Sequence, residues 1–203
     1  MKTNYHTHTT RCQHATGRDE DYVVSAIKGG YQELGFSDHT PWKYHTDYQS
    51  DIRMRLEELP EYVANIRKLK EKYRNQINMH WLKGIIQEYE LDYVIFGNHF
   101  FHTDEKFPPF THLSPTTDML ELYEESAIEG MESGLFSYLA HPDLFMRSYP
   151  TFDRHCKLIS RHICRTAKRL NVPLEYNIRY EEGAKPNQIS PIPHPEFWKI
   201  AAN

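Results

Sequence analysis

The stretch Tyr5-His6-Thr7-His8-Thr9-Thr10-Arg11-Cys12-Gln13-His14 sets three histidines directly behind a short N-terminal strand pattern, and the remaining chain reads as its support. Successive side chains on a strand point to opposite faces, so His6 and His8, two apart, project the same way and can share one metal ion. His14 lies beyond the strand end, where a loop can return it to a neighbouring ion. A single histidine is ordinarily a surface or core residue with a satisfied hydrogen bond. A His-x-His pair with a third imidazole close behind is harder to read that way, because neutral imidazole is a common ligand for zinc, iron and manganese-type ions.

The pattern of a strand ending in histidine recurs along the chain. Apolar residues at Tyr22, Val23, Ala26, Ile27, Tyr31 and Leu34 repeat near the helical period and predict a helix over 19–34, with Gly35 as its stop. Leu34-Gly35-Phe36-Ser37 then turns into a short strand ending at Asp38-His39, before Thr40-Pro41 leaves regular structure. Leu59, Tyr62, Val63, Ile66, Leu69 and Tyr73 mark a second helix, and the alternation of Ile77, Met79 and Trp81 marks a strand that ends at Gly84. Tyr93-Val94-Ile95-Phe96 is a continuous apolar run, as expected of a strand buried on both faces, and closes with Gly97-Asn98-His99. A helix over 117–131 leads to Phe136-Ser137-Tyr138-Leu139-Ala140, which closes with His141-Pro142-Asp143. A helix over 156–170 precedes a strand at Pro173-Leu174-Glu175-Tyr176-Asn177, and Pro195 opens a final helix over 196–202.

Alternating strands and helices argue for a parallel sheet, and histidines at four strand ends argue that those ends share one face. A (β/α) barrel gathers its catalytic groups in that way. An open doubly wound sheet would place its ligand at a switch point, usually beside a Gly-rich phosphate loop, and no such loop is visible. The countable strands are fewer than in the common barrel, so an open or incomplete ring is the alternative.

A chain of 203 residues suits one domain with a sizeable core. Its net charge of −4 offers no basic stripe for a nucleic-acid backbone. The N-terminus runs into the histidine motif without an apolar signal segment, and no run approaches membrane-spanning length, so a cytoplasmic protein with no membrane partner is expected. Cys12, Cys156 and Cys164 form no Cys-x-x-Cys pair, which argues against a disulfide framework or a zinc knuckle. Cys12 alone stands near enough to the histidines to be a ligand, although a packed small residue is the simpler reading. His6, His8, His14, His39, His99 and His141 are more imidazoles than one ion needs, and phosphoryl-transfer sites often hold two or three ions.

These residues resemble the PHP (polymerase and histidinol phosphatase) family, and His6-Thr7-His8-Thr9-Thr10-Arg11-Cys12-Gln13-His14-Ala15-Thr16-Gly17 is similar to its histidinol-phosphatase branch. The likeness extends through Gly35-Phe36-Ser37-Asp38-His39-Thr40-Pro41, Gly97-Asn98-His99-Phe100, Leu139-Ala140-His141-Pro142-Asp143 and Phe197-Trp198-Lys199. It implies a distorted seven-stranded (β/α)7 barrel with a trinuclear site of zinc, iron or manganese at the C-terminal strand ends. It also implies hydrolysis of a small phosphate ester, L-histidinol phosphate, to L-histidinol and phosphate in histidine biosynthesis. Carried over residue by residue, His6 and His8 serve one ion, His99 and His141 a second, and His14 and His39 a third. His99 and His141 are also the residues on which turnover should depend. Arg147 and Arg179, in loops expected on the active face, are candidates to clamp the phosphate, with Arg18 as a third. His102, close behind His99, could approach substrate. His45, His80, His112, His155, His162 and His194 are assigned to surface or core.

Two departures from the family pattern stand out. Ile86 occupies the place of a metal-bridging glutamate, with Glu88 no clear substitute, and the closing strand with Asp-x-His is not present before Asn203. The crossover from Gly84 to Leu91 is also short, since a parallel return with its helix needs at least about 10–12 residues. The expectation is therefore one PHP-type domain over 1–203 that lacks an internal segment near Ile85 and a C-terminal strand. Competing readings are a family phosphoesterase acting on another ester and a metal-binding relative without turnover.

Overall fold

The computed structural model describes residues 1–81, 93–149, 151–178 and 192–203. Gly84, Ile86, Glu88 and Arg179 lie outside the described residues, as does the short crossover itself. The fold resolves into two compact units, Met1–Val94 and Ile95–Asn203.

In the first unit, β1 (Thr3–Asn4), β2 (Glu33–Phe36) and β3 (Asn78–Trp81) form a parallel sheet in that order, with Thr3 opposite Glu33 and Leu34 opposite Met79. The crossovers carry α1 (Asp19–Lys28) and α2 (Leu59–Tyr73). Tyr62, Val63, Ile66 and Leu69 recur at helical spacing on α2 and are buried, together with Val23, Leu34, Phe36 and Met79. The predicted second helix is thus observed over the same residues, with Pro60 in its first turn.

The first helix is shorter than predicted. It ends at Lys28, and Gly30 turns the chain at φ +71°, a left-handed conformation that glycine adopts at little cost. Leu34, read as the helix's last apolar residue, belongs instead to β2, a central strand buried on both faces whose apolar run mimics a helix tail. Gly35 stops no helix. It lies within β2, where a Cβ would overlap the Tyr93 hydroxyl and stand 2.9 Å from the Tyr5 Cα. The Tyr93 hydroxyl passes over this gap to donate to the Tyr5 carbonyl at 2.6 Å, which fixes the segment leading into His6 and His8.

In the second unit, β4 (Ile95–Gly97) pairs in parallel with β5 (Tyr138–Ala140), Ile95 opposite Tyr138 and Gly97 opposite Ala140. β4 starts two residues later than the apolar run that predicted it and extends to Gly97, and β5 keeps the last three residues of its run. The predicted strand at 173–177 is reduced to a single bridge of Leu174 with Leu139, flanked by hydrogen bonds from Leu139 N–H to Pro173 O and from Glu175 N–H to Leu139 O. Helices α3 (Thr117–Glu132), α4 (Arg154–Leu170) and α5 (Pro195–Ala201) cover a core of Leu120, Tyr123, Leu139, Phe145, Ile163 and Phe197. Full burial of each such side chain is worth about 1.5–3 kcal/mol. The helix starts follow side-chain chemistry, with Thr116 accepting from Met119 N–H and Asp153 from His155 and Cys156 N–H. No described helix is long and apolar enough to cross a membrane.

Gly35→Ala should destabilise the protein by about 1–3 kcal/mol, as expected when a close-packed position is overfilled against backbone. Denaturant unfolding of the two proteins would measure it, and equal midpoints would contradict the packing described for Tyr5, Gly35 and Tyr93.

Candidate metal centre

Beyond β1 the chain carries His6 and His8, passes through a single 3-10 turn at Thr10–Cys12, and reaches His14 by way of Gln13 in a left-handed conformation, φ 60°. The Gln13 side-chain amide donates to the carbonyls of Ser50 and Arg53 at 3.0 and 3.1 Å, fastening the turn to a distant loop. The result brings four imidazoles together in the first unit. The Nε2 atoms of His6 and His8 are 3.0 Å apart. The His8 ring lies 4.7 Å from that of His39, nearly stacked, and 4.9 Å from that of His14. One nitrogen from each of His8, His14 and His39 falls within 4.8 Å of the other two.

Behind the imidazoles lies a buried carboxylate. Asp38 Oδ1 accepts from the Thr9 N–H at 2.7 Å, the Thr9 hydroxyl at 3.0 Å and the Cys12 thiol at 3.1 Å, and the Cys12 sulfur accepts the His39 N–H at 2.9 Å. Burial pushes the Asp38 pKa up, while these donors and the Tyr62 hydroxyl pull it down. Burial, followed by the charge of Asp38, pushes the Cys12 thiol up. A second tie runs from Arg11 Nη1 to both oxygens of buried Asp19 at 2.8 Å, with Asn65 of α2 donating to the same carboxylate.

In the second unit His99 and His141 stand at the ends of β4 and β5 with ring centroids 4.8 Å apart. A Cβ on Gly97 would lie 2.8 Å from His99 Nε2, so the glycine leaves room for that ring. His141 adopts φ 31°, an uncommon conformation for a residue with a side chain. It is held by its N–H donating to Glu175 at 3.1 Å and by the buried Tyr123 hydroxyl, which donates to the carbonyls of Pro142 at 3.2 Å and His141 at 3.4 Å. Asp143, also buried, accepts from the His194 N–H at 2.6 Å and the Trp198 indole at 3.2 Å. Burial nevertheless lifts its pKa to about 6.

The donor set fits divalent ions of the zinc, iron or manganese type. Two neutral imidazoles with facing nitrogens can share only one proton, whereas a cation takes both lone pairs. His8, His14 and His39 are the residues that would hold such an ion. His8 lies against both His6 and the His14–His39 pair, so the assignment of two histidines per ion is less separate in space than in sequence. Arg147 is exposed at the end of the 3-10 turn Leu144–Arg147, and exposed Arg18 is engaged by Asp21 at 3.0 Å. His102 is exposed beside Phe101. Asp38, Asp143 and Glu175 stand within the sequence motifs and strands named above, and their roles emerge only in the structure. The signal available was the position of each acid beside a histidine or at a strand end.

A family model described as "PHP domain" matches residues 4–179. A protein named "Probable histidinol-phosphatase" from Deinococcus radiodurans is 30% identical over 156 residues, covering 68% of this chain and 59% of the relative. Another of the same name from Schizosaccharomyces pombe is 26% identical over 211 residues, covering 89% of this chain and 66% of the relative. The chain therefore spans less than two thirds of the length of either relative. The crystal structure of histidinol phosphate phosphatase from Lactococcus lactis, complexed with zinc, L-histidinol and phosphate, matches with a TM-score of 0.68 at 19% identity. It covers 89% of this chain and 74% of that one, a likeness of fold.

His8→Ala should lower the divalent-ion content of the purified protein more than His6→Ala or His14→Ala, because His8 abuts both His6 and the His14–His39 pair. Elemental analysis of the three variants checks this, and equal losses would contradict a shared position for His8.

Proposed function

The chain belongs to the PHP domain family, and on that premise we propose that it is a metal-dependent phosphomonoesterase that hydrolyses L-histidinol phosphate to L-histidinol and phosphate in histidine biosynthesis. The observation that carries this reading is the convergence of His8, His14 and His39 on one small volume. In this proposal His6, His8, His14 and His39 hold divalent ions in the first unit and His99 and His141 do so in the second, two or three ions in all, of zinc, iron or manganese. When bound, such ions offset phosphate charge and lower the pKa of water so that it can attack phosphorus near neutral pH. Asp38 and Cys12 orient the loop and strand end on which the first set rides. Tyr123 and Glu175 hold the turn that presents His141. His99 and His141 are the residues whose loss should strike turnover. Arg147 and Arg179 bind the phosphate oxygens, a task suited to the planar, always-charged guanidinium.

The proposal extends to a distorted (β/α)7 barrel as the architecture of one domain over 1–203. It also extends to a cytoplasmic location and to a small-molecule partner, with neither nucleic acid nor membrane. Ile86, standing where the family has a bridging glutamate, favours a second reading, a metal-binding relative without turnover. A phosphoesterase for another ester is the third.

Turnover of L-histidinol phosphate beside p-nitrophenyl phosphate, with metal analysis of the same sample, separates the three. Chelation should abolish hydrolysis and added zinc or manganese restore it, and an active sample without stoichiometric metal would sink the proposal. Arg147→Ala and Arg179→Ala should each lower kcat/KM by an amount equivalent to about 1.5–3 kcal/mol, the worth of a hydrogen bond to a charged group. Unchanged kcat/KM in both would remove the phosphate clamp.

A further inference from the structure

The loop bearing His8 and His14 and the strand end bearing His39 are joined by a buried pin made without any imidazole nitrogen. Three donors, the Thr9 N–H, the Thr9 hydroxyl and the Cys12 thiol, converge on Asp38 Oδ1, and the Cys12 sulfur in turn accepts the His39 N–H at 2.9 Å. Thr9 and Cys12 are 0% exposed and Asp38 is 3% exposed, so water does not compete for these bonds.

A nitrogen of His8, the Cys12 sulfur and an Asp38 oxygen also lie within 4.8 Å of one another, which would permit an inner ligand set of imidazole, thiolate and carboxylate. The hydrogen bonds oppose it. Cys12 Sγ already has an acceptor for its proton and a donor for its lone pair.

We propose that Cys12 is a positioning residue, not a ligand: its side chain bridges Asp38 to the main chain of His39 and so keeps the His39 imidazole in register with His8 and His14. The inference rests on the metal-dependent reading of that cluster and deepens it. Groups that orient metal ligands from behind commonly change metal affinity by about 10–100-fold when removed. Serine retains a donor and an acceptor at this position, whereas alanine retains neither.

The test is Zn2+ affinity by competition with a chromogenic chelator for the wild type, Cys12→Ala and Cys12→Ser, with melting of the chelator-treated proteins as a control for folding. Cys12→Ala should weaken one ion by about 10–100-fold, and Cys12→Ser should recover most of that loss. The Co2+-loaded wild type should lack the near-ultraviolet charge-transfer band of a cobalt thiolate. Wild-type affinity in Cys12→Ala overturns the proposal. Serine no better than alanine also overturns it, since the effect would then be one of packing, and a cobalt–thiolate band that vanishes in Cys12→Ala makes Cys12 a ligand instead. A wild type that binds no ion overturns both this inference and the metal-dependent reading, whereas ion binding that ignores Cys12 overturns the inference alone.

Discussion

A carboxylate that has left water must find its hydrogen bonds inside the protein, and in the first unit this requirement falls on Asp38. An unpaired buried anion costs several kcal/mol, so the chain around it is committed to the conformation that supplies donors. Thr9 and Cys12 can reach Asp38 only if the loop after β1 folds back over the end of β2, and that fold-back is what gathers the imidazoles. Tyr62, buried on α2, sets its hydroxyl towards the same carboxylate, so helix packing and loop conformation answer to one charge. Arg11 and Asp19 repeat the scheme nearby, with the Arg11 guanidinium also lying 5.3 Å from the Tyr62 ring centroid.

The second unit uses a related device. Asp143 follows the His141 turn and takes its donors from the start and the first turns of α5, which ties the helix to the strand end. Asn98, next to His99, donates to the Tyr123 carbonyl and accepts from Ser126, while the Tyr123 hydroxyl reaches the carbonyls after β5. One helix, α3, thereby holds the ends of both strands. In each unit an acid or amide adjacent to a candidate site histidine carries the structural load.

Much of this could be read from the chain, and the parts that could not have a common cause. The helix at 59–73 was legible to the residue because its apolar period is regular and a proline marks its start. His6, His8 and His39 stand out in the sequence because they stand at strand ends, and His14 because a loop can return it towards them. The tail of α1 was not legible, since a strand buried on both faces shows no alternation to set it apart from helix. Asp38 and Asp143 were present in quoted motifs but silent, because their partners lie 29 and 51 residues away and only the folded chain brings them together. Local periodicity reports an element's own geometry, whereas a buried hydrogen bond reports where two elements meet.

The backbone at His141 carries a further consequence. At φ 31° an ordinary side chain crowds its own main chain, at a cost of order 1–3 kcal/mol, which glycine or asparagine would largely avoid. The Tyr123 hydroxyl and the Glu175 carboxylate hold the turn in that conformation regardless of which residue occupies it. A histidine kept there therefore works against the fold's own preference, and neutral drift for stability alone would remove it. On the proposed reading the position trades thermodynamic stability for an imidazole, which makes it a place where a thermostabilised descendant of this chain would be expected to lose its chemistry first.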